Sequence, residues 1–317
     1  MNEQTLLLSL IGNGIGNGIA PPPTHADVIL LHQLSREQLQ ARARRFVTLL
    51  REQDDCPHGD GGTWQSADQQ TVIYLADGAR AIVYHASGAL RYVSGLGPAQ
   101  APFPRALEYD TLRRLVDERA RRLNLSDWAG NQAELRFERL FQTLGRGADR
   151  TGRQSDTTLF RAIGAWRQYI GRMPVLGAAS AAVQLAGDGR LAALSIQVRA
   201  GSGEVLERAA LIEPETGARQ IIAQLSALLG QAAIPADVVE SASMQFGYLD
   251  LGKRKPQRVL APAYVANIVL RHRRVRQAYV LATAATERPY LNFPVFGSEA
   301  VVTRGRTDVG RSGAAVR

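Results

Sequence analysis

A thiol, an imidazole and a carboxylate fall within five residues at Cys56-Pro57-His58-Gly59-Asp60. All three groups ligate zinc or iron, and a thiolate beside an imidazole is half of a nucleophilic pair. Neither chemistry is completed by its neighbours. Cys56 is the only cysteine, no His-x-x-x-His or His-Glu-x-x-His spacing occurs, and His25 and His32 would have to fold back to join. A histidine two residues from the thiol is poorly placed for proton transfer, which leaves His85 to complete the set. Asp54 and Asp55 are adjacent, so their carboxylates diverge. No Gly-x-Ser-x-Gly elbow is present, and Ser87 in His85-Ala86-Ser87-Gly88 reads as a tight turn. The residues predict no catalytic group, no metal site and no cofactor.

Phosphate cradling is the other chemistry to weigh, in Gly12-Asn13-Gly14-Ile15-Gly16-Asn17-Gly18. A dinucleotide loop starting at Gly12 needs glycine where Asn17 stands, and one starting at Gly14 needs it where Ile19 stands. No Gly-Lys-Ser/Thr follows. With Pro21-Pro22-Pro23 stiffening its exit, this stretch reads as part of a flexible arm over residues 1–26.

These residues sit in a chain of 317 with 45% hydrophobic and 21% charged residues, enough apolar material for a packed core. The net charge is +9 and nearly all of it is arginine, since lysine occurs only at Lys253 and Lys255. The densest basic run, Arg271-His272-Arg273-Arg274-Val275-Arg276, lacks interleaved aromatics on which bases would stack, so nucleic acid is not the expected partner. Residues 304–317 form a basic tail. No apolar run reaches the ~20 residues a membrane helix needs. Thr5–Ala20 lacks a basic start and makes a poor signal peptide.

The hydrophobic periods predict elements that recur. Ser35 and Gln38 form a capping box ahead of Leu39, Ala43, Phe46 and Leu50, which share one helix face. Strands follow at 71–76, 80–85 and 89–94. Asp110 opens a second helix with Leu112, Leu115, Val116 and Leu123 inward, and Gln132–Leu144 reads as another. Strands at 158–170, 175–186, 191–199 and 205–212 come next, with Gly187-Asp188-Gly189 as a hairpin turn. A helix from Glu215 stops at Gly230, ahead of strands at 243–249, 258–270 and 275–283. The expectation is an α+β fold of three tandem units, 27–105, 106–213 and 214–303, each a helix packed on a short antiparallel β-sheet.

The stretch Trp166-Arg167-Gln168-Tyr169-Ile170-Gly171-Arg172-Met173-Pro174-Val175-Leu176-Gly177, leading into Ala182–Leu185 and the Gly-Asp-Gly turn, resembles propeptide modules of thermolysin-type and fungalysin-type metalloproteases and the related PepSY domains. A second echo runs from Tyr290 to Glu299, and 261–283 is similar to the closing hairpin of a PepSY-like unit. The motif positions are Tyr169, Gly171, Pro174, Val175 and Gly177. The resemblance implies a PepSY/cystatin-like fold, an extracytoplasmic setting, and a protein partner such as a protease or a sensor kinase.

The reading favoured is a non-catalytic, protein-binding regulatory or inhibitor-like protein. Its contact residues are placed at Tyr290, Phe293, Pro294 and Phe296, with Arg271, Arg273 and Arg274 beside them. A structural subunit of a larger assembly or homo-oligomer, and an enzyme built on Cys56 and His58, are the alternatives.

Overall fold

The computed structural model describes residues 3–12, 23–53, 62–130, 133–148, 150–230, 238–272 and 275–293. It is mostly β, with 44% strand against 24% helix and four α-helices among the described residues. The chain parts into two compact units. One comprises 1–25, 210–246 and 263–317, the other 26–209 and 247–262.

The larger unit holds α2 (Arg36–Glu52), α3 (Tyr109–Arg122) and most of the strands; α1 (Glu3–Leu10) and α4 (Pro214–Leu229) belong to the smaller one. In the larger unit the strands run β1 (His25–Leu31), β2 (Thr63–Ser66), β3 (Gln70–Tyr74), β4 (Arg80–Tyr84), β5 (Leu90–Val93), β6 (Ala133–Gly145), β7 (Thr158–Ile170), β8 (Met173–Leu176), β9 (Ala181–Leu185), β10 (Leu191–Ile196), β11 (Gly201–Ala210) and β13 (Val259–Leu260). Their main sheet has the order β8-β7-β9-β10-β5-β4-β3-β2, with β6 paired to β7, and β11-β1-β13 forms a small second sheet. The hairpin turns expected at 86–88 and 187–189 join β4 to β5 and β9 to β10 in antiparallel register.

Ser35 caps α2 as its sequence requires. The Gln38 amide donates to Ser35 Oγ at 3.3 Å, and the Ser35 amide donates to Gln38 Oε1 at 2.8 Å. Its apolar stripe, Ala43, Phe46, Val47 and Leu50, is buried. In α3 the buried positions are Leu112, Val116 and Ala120, whereas Leu115 is exposed. The cap residue of α3 is Glu108, and Asp110 lies in the first turn, where its charge still suits the helix dipole. Both helices close over a single core that includes Phe46, Trp128, Trp166, Val183 and Leu194. Each fully buried large apolar side chain there contributes about 1.5–3 kcal/mol.

The smaller unit contains α1, α4, β14 (Pro262–His272), β15 (Val275–Ala284) and most of β12 (Val239–Leu249), in the order β15-β14-β12. Leu6, Leu7 and Leu10 of α1 are buried against Ala218, Ile221, Ile222 and Leu225 of α4. Pro214 opens α4 and Gly230, at φ +63°, ends it.

This architecture corrects the expectation of three tandem units of a helix packed on a short antiparallel sheet. Two helices share one extended sheet and one core, and the remaining two share another core. Part of the error lies at 132–144, expected as helix, where the described residues 133–145 are strand. That segment is β6, which pairs with β7 from Ala133↔Ile170 to Gly145↔Thr158. Its leucines and phenylalanines satisfy both periods, and the partner strand decides between them.

Candidate functional site

A groove of about 680 Å³ runs along β6. It exists because α3 packs over β7 and β9, one strand further into the sheet, and covers the inward face of β6 only in part, leaving Leu135 and Phe137 half-buried. Leu135 and Phe137 of β6 and Trp166 of β7 form the apolar floor. Phe137 meets Trp166 edge-on, with ring centroids 5.5 Å apart. Arg113 lies 3.4 Å above the Phe137 ring and donates from Nε to Asp117 Oδ2 at 2.8 Å. Arg114 and Arg121 complete the wall, exposed and without a carboxylate partner among the described residues. Asp127, also in the wall, lies 4.0 Å from Arg45. An apolar floor with unpaired guanidinium groups beside it can hold a chain that is apolar on one side and anionic on the other.

The Pro-Val-x-Gly stretch has an architectural part in this chain. Tyr169 pairs with Pro174 across the turn from β7 to β8, and Gly171 takes φ +58° in that turn. Arg136 lies 4.3 Å from the Tyr169 ring. Val175 is buried, opposite Tyr248 in the parallel β8–β12 pairing. A methyl group on Gly177, at φ +121°, would sit 2.8 Å from the Asp250 carbonyl oxygen.

Behind β8 lies a buried polar network. Arg199 donates from Nε to Asp250 Oδ1 at 2.9 Å, and Gln197 Nε2 donates to Asp250 Oδ2 at 2.8 Å. Arg199 Nη2 also donates to the Gly252 carbonyl at 3.0 Å. Gln257 Nε2 donates to the carbonyls of Leu249 and Val259 at 2.7 and 2.8 Å. Every partner is engaged, so the network fixes geometry rather than offering a reactive group. Sequence reading missed it, although one signal was there: Gln168 shares a strand face with Trp166 and Ile170, an inward polar residue at period two.

The predicted contact residues are spread out. Tyr290 and Phe293 are half-buried, with Arg288 5.5 Å from the Tyr290 ring, and Leu291 between them is buried. Arg271 is exposed on β14, opposite Arg276 of β15, which pairs with Glu240 at 2.7 Å. Arg273, Arg274, Pro294 and Phe296 lie outside the described residues, as do Cys56, His58 and Asp60. His85 is committed elsewhere. Its Nδ1 is 3.2 Å from the Asp68 carbonyl and its Nε2 is 2.9 Å from Thr71 Oγ1, so the ring ties the end of β4 to β3. Among the described residues no three His, Cys, Asp or Glu side chains are grouped to hold a metal ion, and no helix is long and apolar enough to cross a membrane.

No protein-family model and no curated protein matches the chain. Among solved structures the chain is similar to an uncharacterized protein from Eubacterium rectale ATCC 33656, at 10% sequence identity over 84% of each chain and a TM-score of 0.47.

Proposed function

We propose that this chain is a non-catalytic binding protein that holds an extended, acidic polypeptide segment in the groove between α3 and β6. The observation that carries this reading is the pairing of an apolar floor, Leu135, Phe137 and Trp166, with Arg114 and Arg121 left without carboxylate partners. The segment would lay apolar side chains on the floor and carboxylates against the arginines, the division of labour seen in peptide grooves generally. The inhibitor-like or regulatory role follows from the resemblance of 166–177 to protease propeptide modules, which act by binding another protein.

The test is selection of a displayed random-peptide library on the full chain. Enriched sequences should combine acidic with large apolar residues. Their affinity should fall with added salt and drop about tenfold in the doubly charge-reversed variant Arg114→Glu/Arg121→Glu, which touches only exposed positions. Selection that yields no consensus, or a consensus indifferent to that variant, removes the proposal.

A further inference from the structure

A smaller pocket, of about 70 Å³, lies elsewhere in the larger unit. It is lined by His32, Arg42, His85, Ser87, Arg199 and Gln257, among others, and no carboxylate side chain of the described residues faces it. The space suits a few waters or one tetrahedral oxyanion.

Arg42 is the group with charge to spare. Its Nε donates to the Gly88 carbonyl at 2.9 Å and its guanidinium lies 4.9 Å from the Trp128 ring. No carboxylate pairs with it among the described residues. Burial, and then the charge of Arg45, push its pKa down to about 10. Arg199, by contrast, is already neutralised by Asp250.

A basic loop adjoins the pocket through Gln257, which lines it. Loop 251–258 contains Lys253, Arg254, Lys255 and Arg258 and no acidic residue. The only two lysines of the chain are both here. The loop is held by its carbonyl groups, which turn inward. Ser87 Oγ donates to the Lys253 carbonyl at 2.7 Å, Gln33 Nε2 to the Gln257 carbonyl at 3.0 Å, and Arg199 Nη2 to that of Gly252. With its backbone fastened inward, the loop leaves Arg254, Lys255 and Arg258 exposed. Lys253 Nζ sits 4.9 Å from the Tyr84 ring, next in sequence to His85. The nearest buried carboxylate, Asp250, is consumed by Arg199 and Gln197, and no carboxylate among the described residues forms an ion pair with this cluster. Four like charges within six residues repel one another, and an anion between the loop and Arg42 would relieve both groups.

We propose that this pocket, with Arg42 in its wall and the lysine-bearing loop beside it, is a binding site for a phosphate-class oxyanion. The ion is either free phosphate or the terminal phosphate of a small phosphomonoester. Arg42 supplies a planar donor pair, and the cations of loop 251–258, whose backbone is fastened to Ser87 and Arg199 of the pocket wall, add positive potential beside it.

The experiment is calorimetric titration of the full chain with inorganic phosphate and, separately, with glycerol 3-phosphate, at constant ionic strength set by chloride. Saturable binding is expected. Arg42→Gln should weaken it about tenfold or more, Lys253→Gln/Lys255→Gln should weaken it several-fold, and Arg190→Gln, at an exposed arginine after the β9–β10 turn that does not line this pocket, should leave it unchanged. Tighter binding of glycerol 3-phosphate marks the site as one for a phosphomonoester, and tighter binding of inorganic phosphate marks it as one for the free ion. If Arg42→Gln fails to fold, the double lysine variant decides, since its changes lie in a surface loop. Absence of saturable binding of either probe, or affinities that neither variant moves, would overturn the proposal.

Discussion

The carboxamide of Gln168 pairs with the backbone of Arg199 as a neighbouring strand would. Its Nε2 donates to the Arg199 carbonyl at 2.7 Å, and the Arg199 amide donates back to its Oε1 at 2.9 Å. Both residues are buried, so neither backbone group has water as an alternative. A side chain on β7 thereby fixes where the chain leaves β10, and with it where the Arg199 guanidinium can meet Asp250.

Gln168→Ala strands a buried donor and a buried acceptor. It is expected to lower unfolding free energy by about 2–4 kcal/mol, measured by urea denaturation. Gln168→Glu should be comparably damaging, because it replaces the donor with a buried negative charge facing a carbonyl. A loss below about 0.5 kcal/mol in both would mean that the pairing is not maintained in solution.

Asp250→Ala leaves the Arg199 guanidinium buried without its counter-charge, and a cost of about 3–5 kcal/mol is expected. The double variant Arg199→Met/Asp250→Leu removes both charges together and should recover most of that stability. Equal losses in the single and double variants would show that the hydrogen bonds Asp250 accepts from Gln197 and the Gly252 amide, rather than the ion pair, hold this region.

Two glycines around β8 should respond in opposite ways. A methyl group at Gly247 would overlap the carbonyl oxygen of Pro174 and crowd Leu176, so Gly247→Ala should cost roughly 1–3 kcal/mol. Gly171 has φ +58° but open space around it, and asparagine tolerates that conformation. Gly171→Asn should therefore change stability by less than about 1 kcal/mol. Thermal unfolding of the two variants side by side checks the contrast.

Tyr248 predicts an alkaline limb of the stability profile. Burial, and then the charge of Asp27, raise its pKa from the usual value near 10 to about 12. Between those values the unfolded chain releases the phenolic proton and the folded chain keeps it. The stabilisation is therefore complete below pH 10 and is lost as pH rises through 12, about 1.4 kcal/mol of it by pH 11. Tyr248→Phe cannot ionise, so its decline between pH 9 and 11 should be shallower than that of the parent chain by that amount. Parallel curves would mean that Tyr248 is solvated in the folded protein.

Local signals in the sequence were reliable where one short segment holds all the information. The Ser35–Gln38 box, the stop of α4 at Gly230 and the turns at 86–88 and 187–189 each depend on a few adjacent residues, and each is where its residues put it. What could not be read depends on residues far apart. The 133–145 segment carries an apolar pattern compatible with helix or strand, and only the length of β7 beside it made it a strand. Gln168, Arg199 and Asp250 come from three separate stretches, so no spacing announces their network.

The same division applies to the candidate sites. The sequence by itself determined the composition of the chemistry: one cysteine without ligand-spaced partners, arginine as nearly the only cation, and two lysines confined to 253 and 255. Tertiary structure decided where that chemistry gathers. It set α3 one strand away from β6, which opened a groove over Phe137, and it bound the carbonyls of loop 251–258 inward, which left the loop's cations facing water. The reason is physical. Helix caps and turns are settled by torsion angles and neighbouring hydrogen bonds, whereas a groove or a charged rim is settled by which surfaces a distant segment covers, and that choice belongs to the packing of the whole chain.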